Sequence, residues 1–590
     1  MIWRPAGWRS PTSPVDDHRC ASFPPRPLRW QLVSRFVDTL VAHCAPDSPI
    51  RSDRGITTGE PTRPRRTTWT EVHEQALRAA GCLMGTAAPG VQHGDAVAVL
   101  AGDPALIAPA VQGVWLAGGS VTMLHQPTHR ADLASWAADT VRVLGMIDAK
   151  LVLLGPPFDR LAPLLDQRGI GYLMLADLDD PTVRPLTAPV KVAEDDTALL
   201  QLTSGSSAEP KAVRITHGNL YANMTAMARA GALDPAGDVM VSWLPLFHDM
   251  GMVGFLTLPM ALGLELVKVT PAEFMSHPLL WAELISRHRG TITAAPNFGY
   301  ALLARRLAGT DEHFDLSSLR FALNGAEPIE PAAVRAFTGE GARFGLSGRC
   351  VVCAYGMAET TLGVSFAPLG IGMRVDTVDA DALETRRRAV VAGPADRDVR
   401  AFPLLGPPLP GMEVRVLAED GAPLGERHVG RLHLRGESVT REYLTTAGPR
   451  PTQDPDGWLD TGDEGYLADG EVVVCGRRKD VIIMGGRNIY PIDIERAAGG
   501  VDGVRPGNVA AVRLDAGARR ESFAVAVESN RAGDAEAERV LRKEVISRVV
   551  DAVGLRPGAV VVLPPATLPK TPSGKLRRAA VRDQIAEYLP

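Results

Sequence analysis

From Trp69 to about Leu154 helical stretches, Glu71–Leu83 and Ala105–Leu116, alternate with short apolar runs, Ala96–Leu100 and Leu151–Leu154. Parallel strands cannot be joined by a tight turn; each needs a crossover, and a helix packed on the sheet supplies it. The same rhythm resumes at Thr197 with TALLQL and runs through Val239–Leu244, Glu265–Val269, Thr291–Ala295 and Phe321–Leu323. This alternation constrains the chain to an α/β fold on largely parallel sheets. At 590 residues it exceeds what one hydrophobic core supports, so several packed lobes are expected.

Between about Ala389 and Leu444 the texture changes to Pro and Gly turns separating short alternating segments, such as Met412–Leu417 and Gly430–Leu434, which predict a β-rich subdomain. Beyond Arg477 lie strand candidates Val509–Leu514 and Phe523–Val527 and an amphipathic helix over Ala535–Val553, where Leu541, Val545, Val549 and Val553 repeat at helical spacing. The main domain boundary is placed near Lys479, leaving a C-terminal unit of about a hundred residues.

A net charge of −5 spread along the chain argues against a nucleic-acid partner, which needs a concentrated basic surface. The run Arg386–Arg388 reads as a solvated loop. Six cysteines make no disulfide framework, and the cytosol (a cytoplasmic location) is the simplest compartment. Cys350 and Cys353 form one C-x-x-C inside an apolar run and read as packed strand residues, since no second pair completes a zinc site. Pro104–Leu124 is long and uncharged, but Pro109, Gln112, Gly113, Gly118 and Gly119 interrupt it. A buried helix followed by a strand fits better than an integral membrane segment. The first thirty residues, rich in Arg, Pro and Trp, carry no secretory pattern and are expected to be a disordered leader.

Four separated segments carry polar chemistry. LTSGSSAEPK gathers Thr203, Ser204, Ser206 and Ser207 around Gly205, with Lys211 beyond; hydroxyls, a glycine turn and an ammonium suit phosphate oxygens. YGMAETT sets Tyr355, Gly356, Glu359 and Thr360 after an apolar strand, where parallel strand ends commonly line a crevice. Tyr355 could stack on a purine and Glu359 could hold Mg²⁺ against phosphates. Gly325, Ala326 and Glu327 follow another strand candidate and would form a second wall. WLDTGD ends in Asp463, an acceptor suited to paired hydroxyls, with Arg477 in GRRKD as a second contact, although TGD alone is only a turn. Lys575, in PKTPSGKLRR, sits in a glycine-flexed loop near the C-terminus.

In this order and spacing the four segments resemble the superfamily of adenylate-forming enzymes, over about Trp69 to the C-terminus, including the connecting GRLHLRGESVTREYL of Gly430–Leu444. The resemblance implies a large N-terminal adenylation domain, residues 31–478, with two parallel-type sheets, helices and a β-rich subdomain. A small mobile α+β lid, residues 479–590, would carry the catalytic lysine. By the same resemblance Thr203–Ser207 and Lys211 form the phosphate loop, with Thr360 approaching the phosphates. Gly325, Ala326, Glu327, Tyr355 and Gly356 border the adenine, Glu359 binds Mg²⁺, and Asp463 and Arg477 hold the ribose. Lys575 bridges the substrate carboxylate and the α-phosphate, Lys479 is the hinge, and His248 of PLFHDMG lies near the acyl carboxylate.

The implied reaction is attack of a carboxylate on the α-phosphorus of ATP. Within the superfamily VIIMGGRNIYPIDIE, Val481–Glu495, is most similar to fatty acyl-AMP ligases, which hand the acyl group to the phosphopantetheine of an acyl carrier protein. A fatty acid is the expected substrate, because no charged residue stands out as partner for an amino acid's ammonium. Trp243, Met250, Met252, Phe255 and Phe298 are candidates for an acyl channel, though each also reads as plain core. Ser207, Ala208 and Ala212 replace the common Thr, Gly and Gly of the phosphate loop. After Thr361 no segment of the kind that limits domain motion in many of these ligases is legible. An acyl-CoA synthetase using free CoA is therefore the alternative; a catalytically silent binding scaffold is opposed by intact Glu359, Asp463 and Lys575.

Overall fold

Both runs of alternating helix and strand close into eight-stranded sheets in the computed structural model, which describes residues 34–85, 90–127, 133–203, 209–393, 396–484, 486–514, 522–570 and 576–588. The expected leader, residues 204–208 of the phosphate loop and Lys575 lie outside the described residues. The first sheet runs in spatial order Gly363–Phe366, Val351–Gly356, Phe321–Asn324, Ile292–Ala295, Val239–Ser242, Glu265–Lys268, Gly55–Thr58 and Arg65–Thr68. Its inner strands are parallel and both edge strands antiparallel. The second runs Gly448–Pro451, Glu442–Thr445, Lys211–Thr216, Thr197–Thr203, Ser120–Met123, Ala96–Leu100, Ala149–Leu154 and Tyr172–Met174, parallel from Thr197–Thr203 onward.

Because helices cover both faces, a strand such as Ala96–Leu100 is buried at every position, which is why it reads as a continuous apolar run. Helices Trp69–Gly85 and Pro104–Leu116 approach closely through small residues: a Cβ on Gly113 would lie 2.9 Å from that of Ala79. The uncharged stretch divides, as expected, into that second helix and the strand Ser120–Met123. Among the described residues no helix is long and apolar enough to cross a membrane.

The β-rich region differs from its predicted bounds. Met412–Leu417, Gly430–Gly436, Leu459–Ala468 and Glu471–Arg477 form a four-stranded antiparallel sheet, so it reaches Arg477. Glu442–Thr445 instead joins the second large sheet beside Lys211–Thr216. Arg387 is not a solvated loop residue: it is half-buried, and its guanidinium pairs with the buried Glu464 at 3.0 Å. Cys350 and Cys353 are buried as predicted, and burial pushes both thiols up to about 12. Such thiols are inert at neutral pH.

Beyond Lys479 a three-stranded sheet, Val504–Leu514, Ser522–Ser529 and Ala559–Leu563, carries helices Pro491–Gly499 and Ala535–Val553 on one face and Arg578–Ala586 on the other. Leu541, Val545, Val549 and Val553 are all buried there. An unpredicted unit, strand Val375–Asp379, helix Ala380–Arg386 and strand Val399–Pro403, packs Val378, Leu383 and Phe402 into one core with Tyr466, Val481 and Tyr490. It thus bridges the β-rich sheet and the C-terminal unit.

Candidate active site

A cleft of about 2540 Å³ opens at the C-terminal ends of the parallel strands, where crossover topology leaves ligand crevices. Two glycines let its walls form. A Cβ on Gly356 would lie 2.2 Å from the Leu362 carbonyl oxygen, and one on Gly325 would lie 3.0 Å from that of Ala354. Ala326 follows with a φ of 69°, turning the chain so that Glu327 lines the cleft and accepts the Phe298 N–H at 2.7 Å.

One wall is a carboxylate held by two partners. Asp463 is not in a turn, as TGD suggests, but within the strand Leu459–Ala468, directly across from Arg477. Its Oδ2 accepts from the Tyr355 hydroxyl at 2.5 Å and its Oδ1 lies 3.0 Å from Arg477 Nε. Burial pushes the Asp463 carboxyl up and the Arg477 charge opposes that; burial also holds the Tyr355 phenol well above its ordinary value. Two carboxylate oxygens carry about four acceptor sites, so Asp463 retains capacity for further donors.

The opposite wall is built on the second sheet. Thr203 and Lys211 face each other across the hairpin whose loop carries residues 204–208. Lys211 Nζ lies 3.4 Å from Glu359 Oε1 and 3.9 Å from the centre of the Tyr443 ring, and Tyr443 donates its hydroxyl to the same Oε1 at 2.6 Å. Glu359 is buried, its carbonyl accepting from Thr440 N–H at 2.8 Å. Thr360 is buried beside it and gives its hydroxyl to the Met357 carbonyl at 2.9 Å. Buried Thr203 Oγ1 has no partner among the described residues, which an oxygen-rich ligand at this hairpin would supply. Among the described residues no cluster of three or more His, Cys, Asp or Glu could hold a metal. A single buried carboxylate, that of Glu359, still fits Mg²⁺, which takes one or two protein carboxylates and fills its shell with phosphates and water.

His248 lies in the cleft with Nδ1 2.7 Å from Asp249 Oδ1, leaving Nε2 for other partners. Trp243, Met250, Phe255 and Phe298 line the cleft, whereas Met252 is wholly buried core. Lys479 falls in a single turn of 3-10 helix, Arg478–Asp480, between the β-rich sheet and the C-terminal unit. The segment bearing Lys575 leaves and returns through a bridge between Lys570 and Leu576, both of which line the cleft.

Three residues of this region escape sequence reasoning. Tyr443 lies in a strand paired on one side with Lys211–Thr216, where its partner Val213 is 230 positions away. His125, after the strand Ser120–Met123, stacks edge-on against Phe247 at 5.7 Å; burial first, then His248, pushes it down to about 4. Lys268 is a buried lysine at the end of an apolar strand.

The profile of the AMP-binding enzyme family matches residues 42–444. A putative ligase, Rv1013, from Mycobacterium tuberculosis is 57% identical over 530 residues, 89% of this chain and 96% of that protein. A putative acyl-CoA synthetase from Caulobacter vibrioides is 38% identical over 439 residues, 73% of this chain and 75% of that protein. Among solved structures, one from a study of fatty acyl-adenylate ligases of E. coli and L. pneumophila superposes with a TM-score of 0.83 at 31% identity, covering 94% of this chain and 98% of that one. The chain belongs to the AMP-binding enzyme family, the AMP-forming carboxylate ligases of the adenylate-forming superfamily.

Proposed function

We propose that this enzyme joins a fatty acid to ATP, releasing pyrophosphate, and passes the acyl group from the adenylate to the phosphopantetheine thiol of an acyl carrier protein. The observation that carries the reading is the convergence on one cleft of two prepaired walls, Tyr355–Asp463–Arg477 and Lys211–Glu359–Tyr443. One oxygen of the substrate carboxylate attacks the α-phosphorus as the bond to the bridging oxygen of pyrophosphate breaks. The chain supplies no nucleophile; its work is orientation and charge stabilisation. In this reading Asp463 and Arg477 hold the ribose, and Tyr355, Gly356 and Gly325–Glu327 border the base. Thr203, the loop of residues 204–207, Thr360 and Lys211 receive the phosphates. Glu359 would hold Mg²⁺, which when bound neutralises phosphate charge. His248 stands by the acyl carboxylate, Lys575 bridges it to the α-phosphate, and Lys479 is the pivot of the lid.

The acceptor reading is supported by the unpredicted 375–403 unit. Arg400 pairs with Glu384 at 2.8 Å and with Asp493 at 3.1 Å, and Arg487 pairs with the other oxygen of Glu384 at 2.5 Å. Glu384, Arg400 and Asp493 are all buried, so the cluster ties the C-terminal unit to a segment lying after Thr361. A lid so tied resists the rotation that admits a diffusible thiol, while a carrier delivers its thiol at high local concentration. Free CoA and a phosphopantetheinylated carrier protein should be offered together to enzyme, ATP, Mg²⁺ and fatty acid. Acyl-carrier as the main product supports the reading; acyl-CoA as the main product replaces it with the synthetase.

A further inference from the structure

Lys268 ends the strand Glu265–Lys268, is 1% exposed, and lines the cleft. It donates to the Leu244 carbonyl at 2.5 Å and the Val269 carbonyl at 3.0 Å, which leaves one of three ammonium protons unassigned. Among the described residues no carboxylate lies within ion-pairing distance. Glu273 is the acid whose charge it feels, but Glu273 Oε2 caps its own helix, accepting from Thr270 N–H at 2.6 Å and Thr270 hydroxyl at 2.8 Å. Burial pushes the ammonium down to about 7, with Glu273 opposing. A lysine kept in such a place without a counter-ion costs several kcal/mol.

A second unmet donor lines the same cleft, on the residue before Leu244, whose carbonyl Lys268 caps. Trp243 lies on the neighbouring strand connection, next to Leu244, lines the same cleft and is 3% exposed. Its indole N–H has no acceptor among the described residues, although a buried indole N–H ordinarily finds one. The ring is fixed by Phe274, stacked at 4.0 Å, and by Trp281 and Phe298 edge-on at 5.8 and 5.9 Å. A hydrocarbon chain suits these aromatic walls but leaves both donors unmet. If Lys268 only capped two strand-end carbonyls, the Trp243 donor would stay unexplained.

We propose that Lys268 and the Trp243 indole N–H receive a second carboxylate at the far end of the acyl substrate, so that the enzyme adenylates one end of an α,ω-dicarboxylic acid. This rests on the carboxylate-activating reading above and narrows its substrate. The remote carboxylate takes no part in bond making; it gives the buried ammonium its counter-ion and the indole its acceptor. Two donors meeting two oxygens discriminate strongly, because a methyl terminus leaves both unpaired.

The test is ATP/pyrophosphate exchange with saturated monocarboxylic acids and α,ω-dicarboxylic acids matched in length. The intact enzyme should favour a diacid by at least about tenfold in kcat/KM. Lys268→Met should bring the diacid-to-monoacid ratio to about one or below, and Trp243→Phe, which keeps the ring and removes the donor, should lower it about threefold. An enzyme that favours monoacids, or a ratio unmoved in both variants, overturns the proposal and makes Lys268 a carbonyl cap. Exchange with monoacids alone removes only this inference; exchange with neither series removes the carboxylate-activating reading and this one with it.

Discussion

The two ends of the cleft are built on opposite plans. At the end proposed to take the nucleotide, charged side chains meet opposite partners: Asp463 has Arg477 and Tyr355, and Glu359 has Lys211 and Tyr443. At the end proposed to take the acyl chain, among the described residues Lys268 is held by carbonyls alone and the Trp243 N–H has no acceptor. Paired groups are fixed before a ligand arrives, so they cost little reorganisation when charge moves during reaction. Unpaired groups favour whichever substrate completes them, so in the proposed reading substrates are discriminated at the acyl end.

The comparison breaks most sharply at Lys575. If the nucleotide end works by fixed charge, Lys575→Ala should lower adenylate formation by about 10² to 10³ without changing thermal stability; near-normal exchange would leave that end without its central cation. Next is the buried cluster that ties the C-terminal unit to the 375–403 unit. Glu384→Ala takes the carboxylate from Arg487 and one of the partners from the buried Arg400, and should cost about 3 kcal/mol or more in denaturant unfolding, with acyl-CoA rising relative to acyl-carrier.

Further along the scale comes His125. Its folded value of about 4 lies below the ordinary 6.5, so the unfolded chain binds more protons in that window. Stability is therefore fully present above pH 6.5 and declines as pH falls toward 4, by up to about 3 kcal/mol. His125→Gln should flatten that slope in unfolding curves taken across the window. The smallest effect is expected at Tyr443→Phe, which removes one hydroxyl from Glu359 and should cost about 1 kcal/mol, roughly fivefold in exchange rate. No change there would show that the Lys211 pairing alone holds Glu359.

Much of the cleft lining is legible in the sequence because its groups sit at the ends of apolar strands in compact motifs, as at Tyr355–Glu359 and Gly325–Glu327. The parallel sheets are legible for the same reason, since central strands such as Ala96–Leu100 and Leu151–Leu154 are uninterrupted apolar runs. What hides are neighbours created by sheet order. Tyr443 reaches Glu359 from 84 positions away only because its strand adds to the edge beside Lys211–Thr216. Lys268 lies within the run Glu265–Val269, which carries no sign of its burial; that follows from the Trp243–Leu244 segment, which local pattern does not place beside it. The 375–403 unit hides because its strands are half-exposed and carry charge, and because the Arg386–Arg388 run at its centre reads as a solvated loop.

The most direct measurement is mass spectrometry of the nucleotide and acyl products formed from ATP, Mg²⁺ and a mixture of mono- and dicarboxylic fatty acids. Acyl-adenylate and pyrophosphate appearing in equal amounts, and vanishing with Lys575→Ala, is the predicted result. ATP left intact, or cleaved to ADP and phosphate with no acyl-adenylate, would contradict it.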